Sequence, residues 1–453
     1  MVHSDAATAV GEIDMISNLH ESILGHILSF LPTIESVQTG VLSRRWIDAW
    51  TSIINLKFDD SLLFHGKKMQ REQFVCFVNR VLLHLANSTI QSFSLCLTSF
   101  NHDSSQVNAW ISSVLHRGLQ KLHIQCYDKV LLSSHSLFSC NSLVELKLQM
   151  KCTLNVPISA FLPNLQSFSI SGVKLVSDSP TDSKDITLSF PVLKVFEARG
   201  CEWLTMQDIS IQAPLLEKFS IAIWNTHSNG KCKPAIKVFS SKLTDFSYEG
   251  DLEQEINLLH PSSIRSASAV IVVDEDRKDR LSMEKLVFQA QMFLRQFHQV
   301  ERLKLLFYKV LIHAKDVFTH LPAFGKLTYL QLNEVTGEAL FHLLHHSPFL
   351  SNLDLLNGVS DLNEDVLKAP AVPVCFLSSF KVFQFNGFNV KEHELSLVKF
   401  VLANAAVLER VKICTAFWLR YSDIDMEKVK QQILSLPKRS SFSMIEFCNA
   451  KGS

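Results

Sequence analysis

The amino-acid sequence predicts an α/β protein in which three short N-terminal helices precede a curved solenoid with a parallel β-sheet on its concave face. Three observations support this class. Apolar residues recur at helical spacing within residues 14–60. An L-x-x-L-x-L pattern, with Phe, Ile or Val accepted, returns thirteen times between Ile90 and Ile413. Hydrophobic residues make up 47% of the 453 residues and charged residues 19%, which is ample material for a core.

The first helix is predicted to start near Asn18, whose side chain can cap free backbone N–H groups while Glu21 sits at the third helical position. Pro32 ends it, because the residue before a proline is pushed out of the helical conformation. The apolar stripe between these signals is too wide for a helix that keeps one face in water. It comprises Leu19, Ile23, Leu24, Ile27, Leu28 and Leu31.

Two further short helices are predicted after Thr33. Ser43 can cap the third, on which Trp46 and Trp50 lie one turn apart on one face. The second carries Val37, Val41 and Leu42. Since about fifty residues are marginal for an independent core, we expect another part of the chain or another protein to cover some of these side chains.

Five motifs follow one another in this run, namely Asp14-x-Ile16-Ser17-x-Leu19, Ile27-Leu28-Ser29-Phe30-Leu31-Pro32-Thr33, Leu42-Ser43-x-Arg45-Trp46, Trp50 and Leu56-x-Phe58-Asp59. In them the chain resembles the plant F-box proteins with leucine-rich repeats. In that family the F-box clamps a Skp-type adaptor, which tethers the protein to a cullin-RING ubiquitin ligase. The alternative is a three-helix module that packs only on its own chain.

The resemblance implies an adaptor-binding surface within the F-box. One departure stands at its start, where the family usually has proline and this chain has His20. Proline presets the first helical turn, so we expect its loss to weaken docking without abolishing it. The implied adaptor-binding residues are Leu19, His20, Ile23, Leu24, Ile27, Leu28, Leu31, Pro32, Val37, Leu42 and Trp46.

Two amphipathic helices are predicted next, one over Phe74–Leu85 and one over Val107–Leu115.

The first residues of successive repeats lie 21 to 36 residues apart, whereas leucine-rich repeats are roughly 20 to 29 residues long. Their second and third apolar residues alternate with polar ones, which indicates a strand with one buried face. Because one repeat cannot bury that face alone, neighbouring repeats must stack. The copies are Ile90/Phe93/Leu95, Leu119/Leu122/Ile124, Leu143/Leu146/Leu148, Leu165/Phe168/Ile170, Leu193/Phe196/Ala198, Leu216/Phe219/Ile221, Leu243/Phe246/Tyr248, Ile264/Ala267/Ala269, Val300/Leu303/Leu305, Leu327/Leu330/Leu332, Leu350/Leu353/Leu355, Phe380/Phe383/Phe385 and Leu408/Val411/Ile413.

The C-terminal region carries Phe400-Val401-Leu402-x-Asn404-Ala405-x-Val407-Leu408-Glu409, Leu436-Pro437-x-Arg439-Ser440-Ser441 and Met444-Ile445-Glu446-Phe447. These motifs resemble the FBD segment that ends many plant F-box repeat proteins. A helix from about Asp425 to Leu436 and a last strand would cap the open edge of the sheet.

The predicted domains are a disordered tail (1–13), the F-box (14–60), a linker with a capping helix (61–89), the solenoid (90–364), the FBD-like cap (365–449) and a tail (450–453).

Composition excludes several classes of function. Lys+Arg and Asp+Glu balance at 44 each, which gives no reason to expect nucleic acid or an anionic membrane as partner. The chain has no apolar run of membrane-spanning length and no signal-peptide pattern, so we expect a soluble protein of the cytoplasm, the nucleus or both. Its ten cysteines contain no CxxC pair, so neither a disulfide framework nor a zinc knuckle is expected.

The sequence offers little for catalysis. It contains no G-x-S-x-G, no glycine-rich phosphate loop and no H-E-x-x-H, and it has only 14 glycines. His342-x-x-His345-His346 fits the passage from helix to strand in a repeat better than a metal site, since no Cys or acidic ligand is near in sequence. We therefore predict a non-catalytic protein without a cofactor or a metal.

Polar positions between the buried strand residues are predicted to face the concave side and to bind a target protein. Their charges are mixed in sign, unlike a nucleic-acid groove. These candidates are His123, Lys147, Glu197, Arg302, Lys304, Tyr329, Gln331, Asn352, Asp354, Gln384, Arg410 and Lys412.

These features together predict a substrate-recognition subunit of a ligase of the SCF type, formed by a Skp adaptor, a cullin and an F-box protein. The F-box would dock the adaptor, and the solenoid would bind a target protein for ubiquitination. Two alternatives are a repeat scaffold that works without a ligase and a receptor in which a small molecule bridges to the target.

Overall fold

The computed structural model describes residues 19–44, 46–61, 63–64, 67–68, 70–98, 102–132, 134–178, 185–204, 206–223, 234–252, 255–272, 280–307, 321–360, 362, 372–421, 424–441 and 444–449. The predicted tails at 1–13 and 450–453 lie outside these ranges. Helices at the N-terminal end and a long series of parallel strands confirm the mixed α/β class. The chain divides into two compact units, unit 1 (Met1–Asn155 with Ile170–Val173) and unit 2 (Val156–Ser169 with Lys174–Ser453).

The helices and strands alternate along most of the chain. The α-helices are α1 (Glu21–Leu28), α2 (Thr33–Gln38), α3 (Trp46–Ala49), α4 (Arg71–His84), α5 (Ser104–Leu115), α6 (Ser134–Phe138), α7 (Arg280–Arg295), α8 (Gly337–His345), α9 (Val374–Ser378), α10 (Glu392–Asn404) and α11 (Met426–Leu434). Short 3-10 turns lie at Thr39–Val41, Trp50–Ser52, Pro261–Ser263 and Phe417–Tyr421. The strands are β1 (Asn55–Asp59), β2 (Leu63–Phe64), β3 (Lys67–Lys68), β4 (Ser92–Leu97), β5 (Lys121–Leu132), β6 (Glu145–Val156), β7 (Ser159–Phe161), β8 (Ser167–Ser171), β9 (Lys174–Ser177), β10 (Ile186–Ser189), β11 (Val195–Arg199), β12 (Glu202–Leu204), β13 (Asp208–Gln212), β14 (Lys218–Ala222), β15 (Ala235–Phe239), β16 (Asp245–Gly250), β17 (Ile256–Leu258), β18 (Ser266–Ile271), β19 (Arg302–Phe307), β20 (Tyr329–Asn333), β21 (Val335–Thr336), β22 (Asn352–Leu355), β23 (Val359–Ser360), β24 (Val382–Phe388), β25 (Arg410–Thr415) and β26 (Met444–Asn449).

The start of α1 corrects the predicted cap. The helix begins at Glu21, and its N-cap is His20, whose backbone is extended and whose Nδ1 accepts a hydrogen bond from the Ser22 backbone N–H at 3.3 Å. Asn18 was expected in this role and lies outside the described residues. A histidine ring nitrogen can accept in the same way as the usual Ser or Asp oxygen, so His20 supplies by hydrogen bonding part of what proline supplies by rigidity.

In unit 1 the N-terminal helices lead into a parallel sheet. Strand β1 pairs with β4, β4 with β5 and β5 with β6. Helices α4 and α5 form where the periodicity predicts them, and the Trp110 indole N–H on α5 donates to Asn79 Oδ1 on α4 at 2.7 Å. Just after β1, the buried Asp60 carboxylate accepts from the Thr98 backbone N–H at 2.9 Å and lies 3.2 Å from His102 Nε2. These contacts tie β1 to the chain that follows β4.

All thirteen predicted repeats place their second and third apolar residues on a strand, and these residues are buried. The strands pair in parallel in one register, so the same repeat position aligns from strand to strand. In unit 2 this alignment stacks phenylalanines: the ring centroids of Phe168 and Phe196 lie 5.2 Å apart, those of Phe196 and Phe219 5.2 Å, and those of Phe219 and Phe246 5.9 Å. The stack forms the core of these repeats.

A second parallel sheet of five strands, which the sequence pattern does not predict, lies in unit 2. Its order is β17-β15-β13-β10-β7. Each strand follows a repeat strand of the main sheet and alternates buried with less buried residues, as Ile209 and Ile211 do in β13. The alternation runs for only three to five residues, which is too short to distinguish a strand from a loop by pattern alone.

The expectation of unpaired cysteines is wrong for one pair. Strands β25 and β26 are neighbours, and their register places Cys414 opposite Cys448, where the two form a disulfide. No local spacing signals this pair, because the two residues lie 34 positions apart. Cys375 is a buried free thiol, as expected for a cysteine in an apolar segment, and burial raises its pKa to about 12.

Reduction of this disulfide is expected to destabilise unit 2 by about 3 to 4 kcal/mol, because the cross-link removes loop-closure entropy from the unfolded chain. The measurement is urea unfolding with and without dithiothreitol, compared with Cys448→Ser without reductant. Cys76→Ser is the control, since Cys76 is exposed and free. Identical unfolding midpoints for the oxidised protein and Cys448→Ser would contradict the assignment.

Candidate functional site

Among the described residues of α1, α2, α3 and the turns between them, six apolar side chains are exposed, and we call them the docking face: Ile23, Ile27, Phe30, Val41, Leu42 and Ile47. The first three follow one side of α1 and the turn after it, at i, i+4 and i+7. The other three lie on the turn after α2 and on α3. Exposure reaches 88% at Val41, 76% at Phe30 and 66% at Leu42. Apolar residues this open in one small module are typical of a protein-binding surface.

The interior of the same module is closed. Leu24 and Leu28 are fully buried on an adjacent side of α1, and Trp46 is 6% exposed. Buried polar contacts complete this core: the Ser36 hydroxyl donates to the Leu28 carbonyl at 2.9 Å, and the Thr33 hydroxyl accepts from the Lys57 backbone N–H at 2.8 Å. The module therefore has a core of its own and an apolar surface in addition.

The predicted adaptor-binding residues consequently fall into three groups. His20, Ile23, Ile27 and Leu42 are exposed, whereas Leu19, Leu31, Pro32 and Val37 are half-buried. Leu24, Leu28 and Trp46 belong to the core and present no surface to a partner. Phe30, Val41 and Ile47 are exposed and were missing from the predicted set. The helical period separates the α1 positions, because residues 23, 27 and 30 share a side that excludes 24 and 28.

The predicted target-binding residues of unit 2 lie in two aligned rows on neighbouring strands. One row runs Lys304, Gln331, Asp354, Gln384 and Lys412. The other runs Arg302, Tyr329, Asn352 and Arg410, with the apolar Val382, which was not predicted, between the last two. Glu197 lies on β11, at the same repeat position as the first row but nearer the N-terminus of the chain. Its carboxylate accepts from Lys218 Nζ at 2.7 Å. In unit 1, His123 and Lys147 are neighbours in register, and His123 Nε2 lies 2.8 Å from Glu145 Oε1.

Asp354 is the centre of a polar network on this sheet. The residue is 7% exposed, and its carboxylate accepts from Gln331 Nε2 and Asn386 Nδ2, both at 2.7 Å, and from the Tyr329 hydroxyl at 3.4 Å. The Arg302 guanidinium lies 4.2 Å from the centroid of the Tyr329 ring. Burial and then the nearby Asp354 carboxylate raise the pKa of the Tyr329 phenol, so this hydroxyl stays protonated and serves as a donor.

Comparison with known proteins agrees with both ends of the chain. Residues 16–58 match the F-box domain family, and residues 371–413 match the FBD family. The F-box/FBD/LRR-repeat protein At3g14710 of Arabidopsis thaliana is 32% identical over 447 residues, which cover 96% of this chain and 94% of the relative. The chain belongs to the F-box/FBD/LRR-repeat family. The F-box/LRR-repeat protein At3g59200 of the same plant is 26% identical over 464 residues, covering 94% of this chain and 86% of the relative.

The docking face of this F-box/LRR-repeat protein thus lies within the residues that match the F-box family. Within the described ranges, no group of three or more His, Cys, Asp or Glu side chains is arranged to hold a metal ion. The described helices include none that is both long and apolar enough to cross a membrane.

The histidine side chains at the end of α8 lie close enough together to affect one another's protonation. His346 Nδ1 lies 2.8 Å from the His342 carbonyl oxygen, and the two rings stack with centroids 5.7 Å apart. Burial and then the neighbouring His346 lower the pKa of His342. Burial and then His342 and His346 lower the pKa of His345. The folded protein therefore resists protonation at these two rings.

We expect this resistance to make the protein less stable in mild acid. Above the unfolded-state pKa of about 6.5 the two histidines are neutral in both the folded and the unfolded chain, and they do not lower the free energy of unfolding. As the pH falls below that value, the unfolded chain binds protons before the folded one, so stability declines until the folded pKa is passed. Urea unfolding at about pH 7 and about pH 5 measures the slope of the free energy of unfolding against pH. The double variant His342→Gln/His345→Gln should have a smaller slope, and a slope equal to that of the wild type would contradict the assignment.

Proposed function

We propose that this protein is a non-catalytic substrate-recognition subunit of an SCF-type ubiquitin ligase. In this proposal the docking face binds a Skp-type adaptor, and the polar rows of the repeat sheet bind a target protein. The observation that carries it is the pairing of a closed core around Leu24 and Trp46 with the exposed apolar residues of the docking face. A module that only supported its own chain would have no need of those exposed side chains.

The energetics favour apolar anchors at the adaptor contact. Full burial of a Val, Leu, Ile or Phe side chain contributes about 1.5 to 3 kcal/mol, whereas an exposed ion pair contributes about 0 to 1 kcal/mol. Burial of these six side chains is therefore the main favourable contribution that we expect, and the cost of association is set against it. The protein's contribution to ubiquitin transfer is then proximity, since it raises the effective concentration of the target near the activated ubiquitin.

The test is a binding measurement between the purified full chain and a recombinant Skp-type adaptor. We expect a one-to-one complex by gel filtration and by calorimetry, with a negative heat-capacity change from apolar burial. Absence of a complex would overturn the proposal and favour a repeat scaffold that works without a ligase.

A further inference from the structure

A cleft of about 750 Å³ in unit 2 lies at the carboxyl ends of four neighbouring parallel strands, β22, β24, β25 and β26. Its lining includes three asparagine side chains, a lysine and a tryptophan: Asn357, Asn386, Asn389, Lys412 and Trp418. The Cys414–Cys448 disulfide also lines it and joins the last two strands there. Loops at the carboxyl ends of parallel strands are a frequent place for ligand sites in α/β sheets.

The tryptophan of this cleft is exposed but held in place. Trp418 is 52% exposed, and its indole N–H donates to Asn389 Oδ1 at 3.0 Å. Asn389 is fixed in turn by Glu394, which is 1% exposed: one carboxylate oxygen accepts from the Asn389 backbone N–H at 2.7 Å and the other from its side-chain amide at 3.2 Å. A buried carboxylate therefore orients an exposed aromatic ring through one asparagine. This arrangement prepares the ring for contact with a ligand.

The backbone around Asn389 is also unusual. Val390 has a φ of 61°, in the left-handed region that a β-branched residue rarely adopts. Gly387 has a φ of 69° at an irregularity in the pairing of β24 with β25, and a Cβ there would lie 2.8 Å from the Leu356 carbonyl oxygen. Strained positions and strand bulges are concentrated at binding sites, where they direct side chains that a regular strand would not.

Lys412 supplies the charge of the cleft. Among the described residues its ammonium group has no carboxylate within ion-pair distance, and the neighbouring Glu446 on β26 pairs with Arg410 at 3.5 Å. Asn386 and Asn357 use their amide N–H groups on Asp354 and Asn333, and within the described chain their side-chain oxygens accept no hydrogen bond. One cation, free amide oxygens and an aromatic ring thus line the same cleft.

We infer that this cleft binds an acidic peptide segment of the target protein. A carboxylate of the segment pairs with Lys412, an adjacent aromatic or aliphatic side chain packs on Trp418, and main-chain N–H groups donate to Asn357 and Asn386. The lining of the cleft carries one cation, which fits one carboxylate and does not fit a polyanion. The half-exposed ring of Trp418 fits a segment that lies across the surface. This inference rests on the proposed function, of which it specifies the target signal.

The test uses a phage-displayed random heptapeptide library selected on the immobilised full chain. We expect enrichment of peptides that carry Asp or Glu next to an aromatic or aliphatic residue. A fluorescein-labelled copy of the most enriched peptide then gives Kd by fluorescence polarisation. We expect Lys412→Met and Trp418→Ala each to raise Kd about tenfold or more, and Lys412→Arg to restore most of the affinity. Lys381→Met is the matched control, because Lys381 is an exposed lysine of unit 2 outside the cleft, and Kd should not change.

Three results would overturn the inference: no enrichment of acidic peptides, an unchanged Kd in a folded Lys412→Met variant, or equal binding of heparin with the same dependence on Lys412. Circular dichroism melting establishes that each variant is folded. Adaptor binding by the same preparations separates the two proposals. A chain that binds the adaptor and selects no acidic peptide overturns this inference alone, and a chain that selects the peptide without binding the adaptor overturns only the ligase assignment.

Discussion

The double variant Phe30→Asp/Val41→Asp is expected to bind a Skp-type adaptor more than about a hundredfold more weakly than the wild type, while the chain stays folded. The two side chains are 76% and 88% exposed, so aspartates in their place remain hydrated in the free protein. In the complex each substitution loses about 1.5 to 3 kcal/mol of apolar burial and places an unpaired charge in the interface. The measurement is calorimetry with the purified adaptor.

Two comparison variants make this result specific. Leu83→Asp changes a residue that is 73% exposed on α4, outside the residues that match the F-box, and should leave adaptor affinity unchanged. Leu24→Asp places a charge at a fully buried position and should unfold the N-terminal module, so loss of binding there reports on folding. Adaptor affinity equal to that of the wild type in a folded Phe30→Asp/Val41→Asp protein would exclude this docking face.

Phe219→Ala is expected to destabilise unit 2 by about 3 to 5 kcal/mol, since it removes a large side chain and leaves a cavity in the core. Phe219 is fully buried between Phe196 and Phe246, whose ring centroids lie 5.2 and 5.9 Å away. Its loss therefore interrupts the phenylalanine stack on both sides, and neighbouring repeats lose their contact together.

The urea midpoint, followed by circular dichroism, measures this effect. Phe161→Ala is the matched control, because Phe161 is 55% exposed in the second sheet and its removal should change the midpoint little. Equal midpoints for the wild type and Phe219→Ala would contradict the role of the stack. A much larger shift, with loss of all strand signal, would indicate that the repeats of unit 2 unfold as one cooperative unit.

The repeats could be predicted because their signal is local and periodic. Leu330 and Leu332 alternate with Tyr329 and Gln331 on one strand, and a period of two gives the buried face without knowledge of the neighbours. The parallel register follows from stacking equal units, so the two polar rows were also predictable as a shared face. The helix caps were less predictable, because several residues near a helix start can accept a hydrogen bond. The predicted cap of α1 was Asn18, and the observed cap is His20.

The docking face was predicted only in part. Hydrophobic content alone does not separate Leu24, which is fully buried, from Ile27, which is 40% exposed, although both belong to the same wide stripe. The neighbouring helices decide which side of α1 is covered. Because the apolar stripe of α1 is wide, the sequence pattern does not show which part of the stripe they cover. The Trp418–Asn389–Glu394 chain was not predicted at all, because Trp418 lies 29 positions from Asn389 and no local pattern links them.

The sequence by itself determined the family, the α/β class, the repeated strands and the apolar excess of the F-box, because each rests on motifs or on periods of two and 3.6 within a short window. The tertiary structure alone decided which apolar residues form the docking face, that Cys414 meets Cys448, and that Lys412 and Trp418 line one cleft. The physical reason is the same for all three. They depend on how helices and strands pack and on strand register, which a motif or a period within a short window does not specify.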